Sequence, residues 1–188
     1  SNKNGQTNCK TIWVDETYIE YVKGYQSLEN LTEEFQELIV CKSMSKCYAL
    51  SGLRAAYAVT SNANYLRKFI PPWAVSLPAQ IAAIESLNHP EYFKEQYEKI
   101  HKNRELFSKQ LSNLDFRVYP GVANYILTEL PEEYPKNSSS FVSKCREKGI
   151  FVRDAENMGI TLNSRFIRFA VRSEEENETI IQCLNDIV

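Results

Sequence analysis

Leu38-Ile39-Val40-Cys41 is apolar at four consecutive positions and then gives way, without transition, to Lys42-Ser43-Met44-Ser45-Lys46. A strand with one wet face alternates apolar and polar residues, whereas a short unbroken apolar run fits a strand buried on both faces of a parallel sheet. Ile12-Trp13-Val14 reads as a second buried strand, and it ends as abruptly in Asp15-Glu16-Thr17-Tyr18. In an open parallel sheet ligands gather at the carboxyl ends of the strands. An α/β fold is therefore expected, with Asp15 and Lys46 facing one crevice.

The residues at those two strand ends carry complementary chemistry. Lys46 offers an amine, Ser43 and Ser45 offer hydroxyls, and Arg54, beyond a turn at Ser51-Gly52, offers a fork that can grip a phosphate through two parallel hydrogen bonds. Such a set suits an aldehyde that also bears a phosphate, the amine attacking the carbonyl in its uncharged form. Partial desolvation of Lys46 and a nearby cation would favour that form. Asp15 suits a protonated ring nitrogen, and Tyr18 a ring oxygen. Taken singly, each has an ordinary explanation: most lysines are solvated, and an aspartate after a strand usually caps a turn or helix. Two complementary motifs at successive strand ends make coincidence the weaker account.

Together with Gly52-Leu53-Arg54 and, far downstream, Phe166-Ile167-Arg168-Phe169-Ala170-Val171-Arg172, these blocks resemble the signature of the fold-type I pyridoxal-phosphate aminotransferases of class I/II. The branch they resemble holds histidinol-phosphate aminotransferase and threonine-phosphate decarboxylase, and the likeness runs from about Ile12 to the C-terminus. It implies part of a large domain with a mostly parallel sheet, followed by a smaller α/β C-terminal domain. By the same resemblance Lys46 is the catalytic lysine that bonds pyridoxal 5'-phosphate, Asp15 meets its pyridine nitrogen and Tyr18 its phenolic oxygen. Ser43, Ser45 and Arg54 take the cofactor phosphate. Arg168 clamps the substrate's α-carboxylate, and Arg153, in Phe151-Val152-Arg153-Asp154, reaches a distal substrate phosphate. The implied reaction moves an amino group between an amino donor and a 2-oxo acid, in a cytoplasmic homodimer. Threonine-phosphate-type decarboxylation is the rival activity, and a non-catalytic binding or assembly module is the alternative of another class.

The chain departs from the family in one large respect. Complete members carry, before the aspartate block, a glycine-containing phosphate turn, an aromatic that stacks on the ring and an asparagine, and the fourteen residues before Asp15 cannot hold them. The expectation is the C-terminal half of an enzyme, inactive alone, and Ser1-Asn2 is compatible with the remnant of an expression tag.

Composition excludes several other classes. The 22 basic residues are interspersed with 24 acidic ones, which argues against a nucleic-acid surface. No apolar run is long enough to cross a bilayer. Five cysteines without metal-like spacing read as free thiols in a reducing compartment, and His89 and His101 on a polar helical stretch make a metal site improbable. The 188 residues, 43% of them hydrophobic, divide in pattern into three parts. Residues 1–78 read as the C-terminal part of the large domain, with a third strand at Ala56-Tyr57-Ala58-Val59; 79–114 read as linking helices interrupted near His89-Pro90; 115–188 read as the small domain. In that last part strands are expected at Phe116–Tyr119, Tyr125–Leu127, Ile150–Val152 and Phe166–Val171, with helices at Ser140–Lys148 and Glu174–Ile187. Alternation places Arg168 and Arg172 on one face of their strand. From pattern alone an edge strand with solvated arginines is the default there, a reading Arg172 keeps.

Overall fold

A computed structural model describes residues 11–188; the possible tag remnant at Ser1-Asn2 lies outside them. The chain forms two compact units, one ending at Lys94 and the other running Glu95–Val188.

The first unit is built on three strands, β1 (Ile12–Asp15), β2 (Leu38–Ser43) and β3 (Ala56–Val59), in the order β1-β2-β3. β1 and β2 pair in parallel, Ile12 opposite Leu38 and Asp15 opposite Cys41, whereas β3 runs antiparallel to β2 with Val59 opposite Val40 and Ala56 opposite Ser43. The crossover from β1 to β2 contains only the 3-10 turns Ile19–Tyr21 and Leu28–Thr32, the second capped by Ser27, whose hydroxyl accepts from the Glu29 amide. Beyond β3 come a short helix, α1 (Ala63–Leu66), and α2 (Leu77–Asn88). The Ser76 side chain accepts from the Ala79 amide at the start of α2, and Pro78 fits its first turn because no hydrogen bond is asked of that nitrogen. Leu38, Ile39 and Val40 are buried as their unbroken pattern requires. β1 departs from expectation: it is an edge strand among those described, and Ile12 and Trp13 are 50% and 62% exposed.

Helix α3 (Pro90–Asn113) starts at the expected break, because a proline cannot extend the helix ending at Asn88. The second unit packs α3, from Glu95 onward, with α4 (Ser138–Glu147) and α5 (Glu174–Asn185) and a four-stranded antiparallel sheet. Its strands are β4 (Arg117–Val118), β5 (Tyr125–Glu129), β6 (Arg153–Asp154) and β7 (Phe166–Ala170), in the order β4-β5-β7-β6. The core is an aromatic stack. Phe169 meets Phe107 at 5.9 Å and Phe116 at 5.7 Å, both edge to face, and Phe116 meets Phe141 in the same way. Ile126, Ile167, Cys145 and Leu184 close around these rings. The acidic start of α5 forms a capping box, Ser173 accepting from the Glu176 amide while the Glu176 carboxylate receives the Ser173 amide.

Two expectations change in this unit. The strand at Ile150–Val152 moves to Arg153–Asp154, because the chain is still leaving α4 at Ile150. Gly149 is in the left-handed region at φ +77°, and the Ile150 amide turns back to the Cys145 carbonyl at 2.9 Å. Arg168 does not sit on an edge strand: β7 lies between β5 and β6. Gly121 leaves room for Arg104, since a side chain there would press on the guanidinium at 3.0 Å. Phe169→Ala is expected to lower the stability of this unit by about 3–5 kcal/mol, because the cavity would touch two other rings; chemical denaturation measures it, and a loss below about 1 kcal/mol would contradict the packing described.

Candidate active site

The residues around Lys46 are held by the neck of a loop. The antiparallel register that sets Ser43 opposite Ala56 continues one pair beyond the strands, with the Met44 amide donating to the Ala55 carbonyl at 3.1 Å. Beyond that pair both segments turn, and Ser45 and Arg54 lie in the turns on either side of it. Met44 plugs the loop and is buried, its carbonyl accepting from the Leu50 amide at 3.0 Å. The hydroxyl of Ser43 donates to that of Ser45 at 3.1 Å. Arg54 is exposed, with a bond of 3.3 Å to the Ser51 carbonyl and no acidic partner in the ion pairs of the described residues. Ala49 and Arg54 both have φ of +57°, a region costly for side chains with a Cβ, so the loop stores strain on either side of its tip. Lys46 is exposed, so the partial desolvation expected for it is not met within this chain.

Asp15 and Ser43 end two parallel neighbours, so both strand ends open on the same side of the sheet. One oxygen of Asp15 accepts from the amide and the hydroxyl of Thr17, at 2.9 and 2.5 Å. Tyr18 is half-buried, its ring 6.2 Å from that of Tyr21. Thr17 escaped the sequence reading, yet it also accepts from the Ser43 amide at 3.3 Å, and its carbonyl accepts from the Cys47 thiol at 3.2 Å.

Beneath the site lies an ionic cluster that the motifs did not announce. The Lys42 ammonium is 3.1 Å from Glu20, 3.2 Å from Glu29 and 3.6 Å from Glu16, and Lys42, Glu16 and Glu20 are all buried. Glu16 also accepts from the Ser27 hydroxyl at 2.7 Å and the Leu28 amide at 2.8 Å; Glu29 accepts from the Tyr57 hydroxyl at 3.2 Å. The available signal was alternation, since Lys42 shares its strand face with fully buried Val40. Burial alone would push the ammonium down, but the bond to Glu20 and its charge, with Glu29 adding, hold Lys42 above the ordinary lysine range. Burial and then the charge of Glu20 push Tyr48 up to about 12.

In the second unit the two arginines singled out by sequence are neighbours. Arg153 on β6 is the direct register partner of Arg168 on β7, so their side chains leave the same face of the sheet. On its other flank the Arg168 guanidinium lies 5.0 Å from the centre of the Tyr125 ring. Among the described ion pairs none joins Arg153 to neighbouring Asp154 or Glu156; Asp154 accepts from the Ser138 hydroxyl at 2.9 Å and the Glu156 amide at 3.0 Å. Arg172 has the structural role expected of it, pairing with Glu176. No group of three or more acidic, histidine or cysteine side chains among the described residues is arranged to hold a metal ion, and no helix there is long and apolar enough to cross a membrane.

Comparison with known proteins gives a consistent picture. Residues 6–184 match the family model for aminotransferase class I and II. Histidinol-phosphate aminotransferase 2 of Archaeoglobus fulgidus is 34% identical over 183 residues, which cover 96% of this chain and 51% of that protein. The structure of histidinol-phosphate aminotransferase from Clostridium acetobutylicum matches with a TM-score of 0.81 at 27% identity, over 94% of this chain and 54% of the other. L-threonine-O-3-phosphate decarboxylase from Porphyromonas gingivalis matches over the same shares with a TM-score of 0.81 at 24% identity, a likeness of fold alone. The chain thus spans about half the length of the relatives it matches.

The ionic cluster makes two predictions. Lys42→Met leaves Glu16 and Glu20 buried without a countercharge and should cost about 3–5 kcal/mol in chemical denaturation. Because Lys42 and Tyr48 are both raised in the folded chain, their contribution is complete below the unfolded values and is lost as pH rises through the folded ones. Stability should hold to about pH 10 and fall above it. Tyrosinate absorbance followed with the folding signal checks this, and full tyrosine ionisation near pH 10 in a folded chain would contradict it.

Proposed function

The chain belongs to the class I and II aminotransferase family, and on that premise we propose that it carries the lysine-bearing half of the site of a pyridoxal-phosphate-dependent aminotransferase acting on a phosphate-bearing amino compound and a 2-oxo acid. The observation that carries this reading is the neck of the loop. The Met44–Ala55 pair closes a loop that carries Ser45 and Arg54, with the Ser43 hydroxyl bonded to Ser45, the Lys46 amine next in sequence and Asp15 on the adjoining parallel strand end. That donor set fits an aldehyde with a phosphate arm and a ring nitrogen.

Pyridoxal phosphate, when bound, supplies an aldehyde that bonds amines and a ring that accepts the electron pair left on the substrate's α-carbon. The chain does the rest. Ser43, Ser45 and Arg54 would hold the phosphate arm, the arginine through its planar fork. Asp15 would pair with the ring nitrogen and Tyr18 with the ring oxygen. The Lys46 amine would take the proton from the substrate's α-carbon and hold it for return.

Arg168 and Arg153 support the choice of substrate. Like charges directly across a strand pair repel, so a side-by-side arginine pair is favoured when a substrate brings an anionic group to each, a carboxylate to Arg168 and a phosphate to Arg153. Homodimeric assembly in the cytoplasm is part of the same reading. It is supported by the exposed apolar run of Phe69, Ile70, Trp73, Leu77, Ile81 and Ile84, a surface of the kind a subunit interface covers.

Borohydride treatment of the cofactor-loaded enzyme should leave the pyridoxyl group on Lys46, and a label on Lys42 would sink the assignment. In the same enzyme Arg168→Lys should lower kcat/KM by roughly 10- to 1,000-fold, since it keeps the charge and loses the fork. Arg153→Ala should weaken histidinol phosphate or threonine phosphate far more than a plain amino acid. Equal losses would remove the phosphate role, and carbon dioxide released from threonine phosphate would replace transamination by decarboxylation.

A further inference from the structure

We infer that Thr17 is the positioning residue that couples the carboxylate arm of the site to the lysine arm, through a directed chain from the Ser43 amide to the Thr17 hydroxyl to the Asp15 carboxylate. The inference rests on the reading of Asp15 and Lys46 as cofactor residues. It begins with the direction of the bonds. A hydroxyl has one proton, and the Thr17 proton goes to Asp15 Oδ1 at 2.5 Å because an ionised carboxylate can only accept. Toward Ser43 the same oxygen must then accept, which is what the amide at 3.3 Å supplies.

Local turn chemistry does not account for this. An aspartate accepting from the amide two residues on is a common turn, and the 2.9 Å bond from the Thr17 amide completes it without any side chain at position 17. The bond to Ser43 crosses 26 residues of sequence and joins the continuation of β1 to the end of β2. The Thr17 carbonyl makes a second crossing to the Cys47 thiol at 3.2 Å. Thr17 therefore touches residues on both sides of Lys46. Because Oδ1 of Asp15 is engaged by both Thr17 donors, the carboxylate plane is set and Oδ2 is left to meet a donor from outside the chain. Strand pairing covers only the carboxylate arm: the β1–β2 ladder ends at the Asp15–Cys41 pair, the Glu16 amide adds one bond to the Cys41 carbonyl at 2.9 Å, and the pairing stops short of Ser43 and Lys46.

Thr17→Val keeps the shape and removes the hydroxyl, whereas Thr17→Ser keeps the hydroxyl. Amide exchange in the chain itself reads the link: the Ser43 amide should exchange roughly 3- to 10-fold faster in the valine variant and near the original rate in the serine variant. Incubation of the full-length enzyme with pyridoxal phosphate, borohydride reduction and peptide mapping read the function. The label should concentrate on Lys46 in the original chain and in Thr17→Ser, and spread to surface lysines in Thr17→Val. In the cofactor-loaded enzyme the pH midpoint of the visible absorbance should shift in the valine variant and return with serine. Unchanged Ser43 exchange in Thr17→Val overturns the link, and equal labelling of Lys46 in all three chains overturns the positioning role alone. A label spread evenly in the original chain overturns the cofactor reading and the role of Thr17 with it.

Discussion

A buried ammonium has to recover from the protein the oxygen partners it gives up in water, and the first unit is organised around the way Lys42 does so. Its partners come from three separate stretches: Glu16 just past β1, Glu20 in the turn that follows, and Glu29 in the second 3-10 turn. The crossover between two parallel strands usually relies on a helix to cover the sheet. Here the connection has only short 3-10 turns, and a web of charge-assisted bonds does the fastening. The arrangement is costly to break at its centre: removing Lys42 leaves buried Glu16 and Glu20 without their countercharge.

The second unit meets the same problem with arginine. Arg104, buried on α3, donates to the carbonyls of Gly121, Ala123 and Tyr125, pinning the irregular stretch that leads into β5. Arg165 does the same for the loop after β5, reaching the carbonyls of Leu130, Pro131 and Tyr134. Both use the width of the guanidinium to satisfy several backbone oxygens that strand pairing leaves open. Arg168 differs from them. It turns to the Tyr125 ring on one side and has Arg153 as its register partner on the other.

Much of this was legible in the residues. The abrupt change from apolar to chemical side chains after Val14 and after Cys41 marked two strand ends, and a strand forms at each, β2 buried and β1 at the edge of the described sheet. His89-Pro90 marked the break between α2 and α3, and Gly149 the end of α4, since both act through backbone geometry that is local to the chain. The strand near Ile150 was displaced because its apolar residues serve the helix exit rather than a ladder. Trp13 is exposed where its pattern required burial, within a chain that spans about half the length of its relatives.

The sequence by itself determined which residues carry chemistry and in what order, because amines, carboxylates and guanidinium groups are properties of single residues and strand ends are properties of short runs. Only the tertiary structure decided which of them are neighbours. Ser43 across from Ala56, Arg153 beside Arg168 and Thr17 beneath both arms of the site are consequences of register, and register is set by pairing between segments more than ten residues apart. The same holds for Lys42, which by type is a surface residue and becomes a buried anchor because the turns after β1 bring three carboxylates to it. A side chain's charge is written in the chain, whereas its partner is written in the fold.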